Sequence, residues 1–122
     1  MEVYQVKGSN SYSVRAVGTS NYQNALEKLA GGRSTESART PVKVLLVEEN
    51  DNPHDENAVK VEIEGKKVGY LSRSNASNYR SLLKGFGVEG VNVAYQGMIV
   101  GGWQKEGDYG DFGIRIDFPQ II

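Results

Sequence analysis

The stretch 42–71, VKVLLVEENDNPHDENAVKVEIEGKKVGYL, holds three short apolar-alternating runs joined by one long polar connection and one tight turn. In the first run Val42, Val44 and Leu46 alternate with Lys43, Leu45 and Val47, so both faces are apolar and the pattern predicts a strand buried on each side. In the second, Val59, Val61 and Ile63 alternate with Lys60, Glu62 and Glu64, the mark of a half-buried antiparallel strand. Glu64-Gly65 supplies a hairpin turn with Gly65 at positive φ, and the third run, Lys67 to Leu71, returns along it. The connection EENDNPHDEN, 48–57, is rich in turn formers. Asn50 and Asp51 favour Asx-turns, Pro53 fixes φ, and Asp55 and Asn57 can each bond nearby backbone amides.

Outward from this unit, residues 1–10 alternate only weakly and end in Gly8-Ser9-Asn10, which reads as a frayed or edge segment. Tyr12 to Val17 alternates as a strand closed by Gly18. Ser20 and Gln23 have the spacing of a capping box, and Tyr22, Ala25, Leu26, Leu29 and Ala30 share one helical face that Gly31-Gly32 ends. The polar segment 31–41 reads as a loop. Beyond the central unit, Ser72 caps a second helix, 73–84, with Ala76, Tyr79, Leu82 and Leu83 inward and Gly85 past its end. A strand at 91–101 carries Gly97 as a bulge or bend, a glycine-rich hairpin follows, and Phe112, Ile114, Ile116 and Phe118 alternate with Gly113, Arg115 and Asp117 in a final strand.

At 122 residues, this amounts to a single domain over 1–122, mainly β with two short helices: a small OB-like or SH3-like barrel of about six strands. The absence of cysteine excludes disulfides, thiolate metal sites and cysteine nucleophiles. No run reaches the ~20 apolar residues of a membrane span and Glu2 follows Met1, so a soluble, cytoplasmic protein is expected. The formal net charge of -1 is distributed unevenly: Lys66, Lys67, Arg73, Arg80 and Lys84 fall in a stretch without a carboxylate.

The acidic connection offers oxygens from Glu48, Glu49, Asp51, Asp55 and Glu56, but not at the spacing of a calcium hand, and it lacks that loop's glycine. His54 beside Asp55 is a poor base-and-orienter pair, because neighbours on an extended chain point apart. No serine sits in a nucleophile elbow, and neither glycine-rich segment continues into a phosphate loop. No catalytic residue, metal or cofactor is therefore expected. The basic stretch, interleaved with Tyr70, Tyr79 and Phe86, is instead the mixture that binders of single strands use: cations for phosphates and rings for bases. Tyr79 falls on the inner stripe of its helix and counts as core, whereas Tyr70 lies at a strand end beside Arg73.

Gly18 with Tyr22-Gln23, DNPHDENAVKV (51–61), KVGYLSR (67–73) and the glycine-rich turn into FGIRIDF resemble, in this order, the HIRAN domain of the free-standing bacterial or phage type. The resemblance covers about Tyr12 to Phe118. It implies a modified oligonucleotide-binding barrel that captures the 3′-hydroxyl end of single-stranded DNA in replication-fork remodelling and DNA repair. It further implies a site made of Ser20, Asn21, Tyr22, His54, Asp55, Asn57, Tyr70 and Arg73. In that site Tyr22 stacks on or flanks a terminal base, Asp55 accepts from the 3′-hydroxyl, and Tyr70 and Arg73 meet the strand backbone. Ser20-Asn21-Tyr22 stand where the domain of animal remodellers has Arg-Tyr-Tyr. With no motor of its own, such a module would leave chemistry to a helicase or nuclease partner. The rival expectation, favoured by the near-neutral charge, is a protein-interaction module that keeps the barrel without the DNA pocket.

Overall fold

The computed structural model describes residues 11–118 together with the backbone of Val3–Gln5. The turn read at Gly8-Ser9-Asn10 lies outside the described residues. The hairpin expected from Glu64-Gly65 forms between β4 (Val59–Ile63) and β5 (Lys66–Tyr70), with Ile63 opposite Lys66. Both turn residues have positive φ, 51° and 78°, the requirement of the tight turn whose twist matches its strands. On the other side of β4 lies β3 (Ala38–Glu48), then β6 (Asn92–Gly101), β9 (Phe112–Ile116) and β2 (Val14–Arg15), every neighbour antiparallel. The edge segment β1 (Val3–Gln5) joins β6 in parallel, and a separate two-stranded hairpin pairs β7 (Gln104–Lys105) with β8 (Asp108–Tyr109). The six-stranded path curls until its ends meet: Val17 N–H donates to the Tyr70 carbonyl at 2.7 Å, and Tyr70 N–H to the Val17 carbonyl at 2.9 Å. The result is mainly β with two short helices, a curled sheet compatible with an OB-like barrel, as its alternation and turns predict.

The alternating positions fill the inside. Val44, Leu46, Val59, Val61, Val68, Ile99, Ile114 and Ile116 are fully buried, each worth roughly 1.5–3 kcal/mol relative to exposure. α2 (Arg73–Gly85) is capped by Ser72, whose hydroxyl accepts from Asn75 N–H at 3.2 Å. Its buried Tyr79 stands edge-on to Tyr95, with ring centroids 6.4 Å apart, and Phe118 completes the cluster 4.6 Å from Tyr95. No helix among the described residues is long and apolar enough to cross a membrane.

Several expectations are corrected. Only one face of β3 is deeply buried, since Leu45 and Val47 remain half-exposed. The segment 31–41 is not all loop: β3 begins at Ala38, and Pro41 sits in the half of the strand that pairs with β6 alone, where a missing N–H is tolerated. The capping box does not form. A 3-10 turn, Thr19–Tyr22, precedes α1 (Gln23–Ala30), and the Gln23 side chain leaves the helix to bond Phe112 N–H and C=O, at 2.8 and 2.9 Å. The strand expected over Tyr12 to Val17 is regular only at Val14–Arg15, because Tyr12 itself has φ 47°. Gly97 makes no bulge, as the register with β3 is unbroken. A Cβ there would stand 2.7 Å from Val44 Cγ1, so the glycine permits close packing. The bulge falls in the β4–β5 pair, next to Gly69. Asp117, read as outward-facing, is 1% exposed, its Oδ1 accepting from Ser11 N–H at 3.0 Å.

Candidate nucleic-acid interface

The acidic connection lies between β3 and β4, and its shape comes from side chains that replace missing backbone partners. Asn52 Oδ1 accepts from the amides of His54 (2.8 Å) and Asp55 (3.1 Å). Asp55 Oδ1 accepts from Asn57 N–H at 2.9 Å. Asn52 and Asp55 thus form the Asx-turns, whereas Asn50, assigned one from sequence, points its carbonyl at Arg80 Nη1 at 2.7 Å. Arg80 spans the loop's two ends, since its Nη2 donates to the Ala58 carbonyl at 2.6 Å and its Nη1 pairs with Glu48 at 3.1 Å. At the crest, the Arg73 guanidinium donates to the His54 carbonyl. Two arginines of one helix therefore hold the loop against the barrel.

Beside it runs a polar network. The Tyr70 hydroxyl donates to Glu49 Oε1 at 2.8 Å and accepts from Lys67 Nζ at 2.8 Å. Lys67 also reaches Glu49 Oε2 at 3.3 Å, and Asn52 Nδ2 donates to Glu49 Oε1 at 2.9 Å. Burial alone would raise the Glu49 carboxyl, but the bonds from Asn52, Tyr70 and Lys67 outweigh it and hold its pKa below the usual value. The ammonium of Lys67 is held above its usual value by Tyr70 first, against desolvation, and then by Glu49. The hydroxyl of Tyr70 is thereby committed inside the protein.

At the seam where the sheet's two edges meet lies a cavity of ≈ 250 Å³, lined by Val17, Asn52, His54, Asp55, Ala58, Tyr70, Leu71 and Arg73. Val17 is 44% exposed, an unusual state for a valine and the apolar wall of this opening. Four residues named from the sequence, His54, Asp55, Tyr70 and Arg73, converge here. The other four do not join them. Tyr22 is half-buried and packs against the core, on a turn that abuts β5. Asn21 is exposed on the same turn, and Ser20 lines a separate cleft with Arg33 and Tyr109. Asn57 lines a third, with Arg80 and Lys84, so the basic stretch of the sequence is divided between surfaces. Of its rings, Tyr79 is core and Phe86 is exposed beyond α2. Sequence reasoning missed Val17, whose part is defined only by the long-range bridge to Tyr70, and Asn52, whose Asn-Pro pairing was the available signal.

The cavity offers an apolar wall, the Tyr70 ring, one carboxylate and one guanidinium. Asp55 Oδ1 is engaged by Asn57, and its second oxygen has no partner among the described residues. Among those residues no group of three or more His, Cys, Asp and Glu side chains is placed to hold a metal ion.

A curled OB-like sheet thus carries at its seam a largely apolar pocket with one carboxylate and one guanidinium on its lining. The chain belongs to the HIRAN family: the HIRAN domain model matches residues 9–102, most of the chain. That family is one of DNA-binding domains and is not catalytic by itself. No curated protein and no solved structure matches the chain.

Proposed function

We propose that this chain is a non-catalytic module that captures the free 3′-hydroxyl end of single-stranded DNA in the cavity at the Val17–Tyr70 seam. The observation that carries this reading is the convergence of Asp55, Arg73 and Tyr70 on one opening. A terminal nucleotide presents a planar apolar base, a hydroxyl donor and, one linkage away, an anionic phosphate. The ring and Val17 suit the base, the free oxygen of Asp55 suits the hydroxyl, and Arg73 suits the phosphate. A carboxylate accepts from a hydroxyl and repels a phosphate, so the same atom discriminates between the two kinds of end. Tyr22 flanks the strand from the turn beside β5, the turn that also carries Asn21, and His54 shapes the rim. The module spans the whole chain as one domain. Processing of a stalled fork or a damaged end falls to a helicase or nuclease partner.

The test is a titration, at low salt, of a labelled oligonucleotide ending in a 3′-hydroxyl against the same strand ending in a 3′-phosphate. Tighter binding of the hydroxyl end supports the reading, and equal, negligible binding of both removes it. The second reading, a protein-interaction module, draws on the placement of Ser20 and Asn57 outside the cavity. It predicts nuclease-resistant recovery of a partner protein rather than nuclease-sensitive recovery of DNA.

A further inference from the structure

The outer face of the sheet, away from the core, carries three arginines that enter none of the ion pairs among the described residues. Alternation places them together. Ile114 and Ile116 of β9 point inward, so Arg115 points outward, directly opposite Arg15 of β2 in the register. Across β6, Arg115 faces Met98, and one pleat further along β3 is Arg39, opposite Val100. Arg15 and Arg39 are exposed and Arg115 is half-exposed. Arg39 and Arg115 line an open cleft of ≈ 500 Å³ with Ser11, Tyr12, Ser37, Ala38, Met98, Val100 and Gly101, and no carboxylate is in that lining. The acids nearest in sequence are Glu36, exposed at the margin, and Asp117, buried and accepting from the Ser11 and Tyr12 amides.

Like charges set directly across a strand pair are destabilising, and the usual remedy is an interleaved acid. Among the described residues that remedy is absent. The cleft's wall also holds Tyr12 at φ 47°, a left-handed conformation that a tyrosine rarely adopts and that the Asp117 carboxylate secures. We propose that this face is a second DNA-binding surface, which takes the phosphate backbone of duplex DNA. The strand spacing spreads Arg15, Arg115 and Arg39 over roughly 12–16 Å, enough to meet several phosphates of a duplex carrying one charge per ~1.7 Å of axis. Its lining sets the two arginines beside serine hydroxyls and the apolar Met98 and Val100, a mixture that suits the alternating phosphate and sugar of a nucleic-acid backbone. The assignment leans on the family's DNA binding, not on the end pocket.

A covalently closed dumbbell duplex has no end and reads this face alone. The wild-type protein should bind it in a strongly salt-dependent manner. Arg39→Glu/Arg115→Glu should lower that affinity at least tenfold, and Arg115→Gln by less. The double variant should also reduce the slope of log affinity against log salt by about 2, at ~0.9 per lost contact. Thermal midpoints should not fall in the arginine variants, since a repulsion is relieved. Failure of the wild-type chain to bind the dumbbell overturns the proposal, as does equal binding by the double variant or equal displacement by polyglutamate. Failure of the 3′-hydroxyl preference alone overturns the end pocket instead.

Discussion

The carboxamide of Asn52 connects the acidic loop to the barrel: its oxygen takes the amides of His54 and Asp55, and its nitrogen donates to Glu49. Asn52→Ala removes all three bonds and leaves two loop amides without a partner. It should cost about 1–3 kcal/mol in urea unfolding and loosen DNA binding although Asn52 itself carries no charge. Arg73→Glu should act differently: it removes one tie between α2 and the loop, so a modest loss of stability accompanies a broad loss of DNA affinity and a smaller salt slope. The Glu49 and Lys67 pair sets a pH dependence whose sign follows from their shifts. Glu49 is held below the usual carboxyl value, about 4.3, so its contribution is present above that value and is lost as pH falls through the lowered one. Lys67 is held above the usual amine value, about 10.4, so its contribution is present below that value and is lost at still more alkaline pH. Unfolding midpoints of the wild-type chain should decline more steeply than those of Glu49→Gln under acid conditions, and parallel declines would contradict the network.

Elements were legible wherever one residue type states its own geometry. Glu64-Gly65 specifies its hairpin, Ser72 its helix start, and Gly31 at φ 84° the end of α1. Features that depend on a partner far along the chain were not. Gln23 looks like half of a capping box until Phe112 is brought within 2.8 Å of it by the sheet. Gly97 looks like a bulge until Val44 is placed beneath it. Gly69 belongs to the same class: a Cβ there would stand 3.0 Å from the Val17 carbonyl, the atom that closes the seam. Gly97→Ala should therefore destabilise the fold by about 1–3 kcal/mol through overpacking, measured by denaturant unfolding. A neutral outcome would mean that Val44 can change rotamer at no cost.

On the scale of the whole molecule, the barrel is a device for making distant residues adjacent. Val17 and Tyr70 stand far apart in sequence and share two hydrogen bonds, and that closure builds the wall of the pocket. Half of the candidate site, His54, Asp55, Tyr70 and Arg73, was legible because these residues belong to the loop and the strand end that flank one seam. Ser20 and Asn57 were misplaced because proximity in sequence does not specify a face: the 3-10 turn points Ser20 toward Arg33, and the Asx-turn at Asp55 carries Asn57 toward Arg80. The same limit hid the outer arginines, which lie on three strands and become neighbours only in the folded sheet.

Asp55 is the residue proposed to read the end of a DNA strand. Asp55→Asn removes the charge and keeps an oxygen to accept from the Asn57 amide, so the loop is preserved. The decisive measurement is the ratio of affinities for 3′-hydroxyl and 3′-phosphate ends in the wild type and in this variant. A ratio well above one in the wild type that falls at least tenfold in Asp55→Asn is the expected result, and a ratio that the substitution leaves unchanged would contradict it.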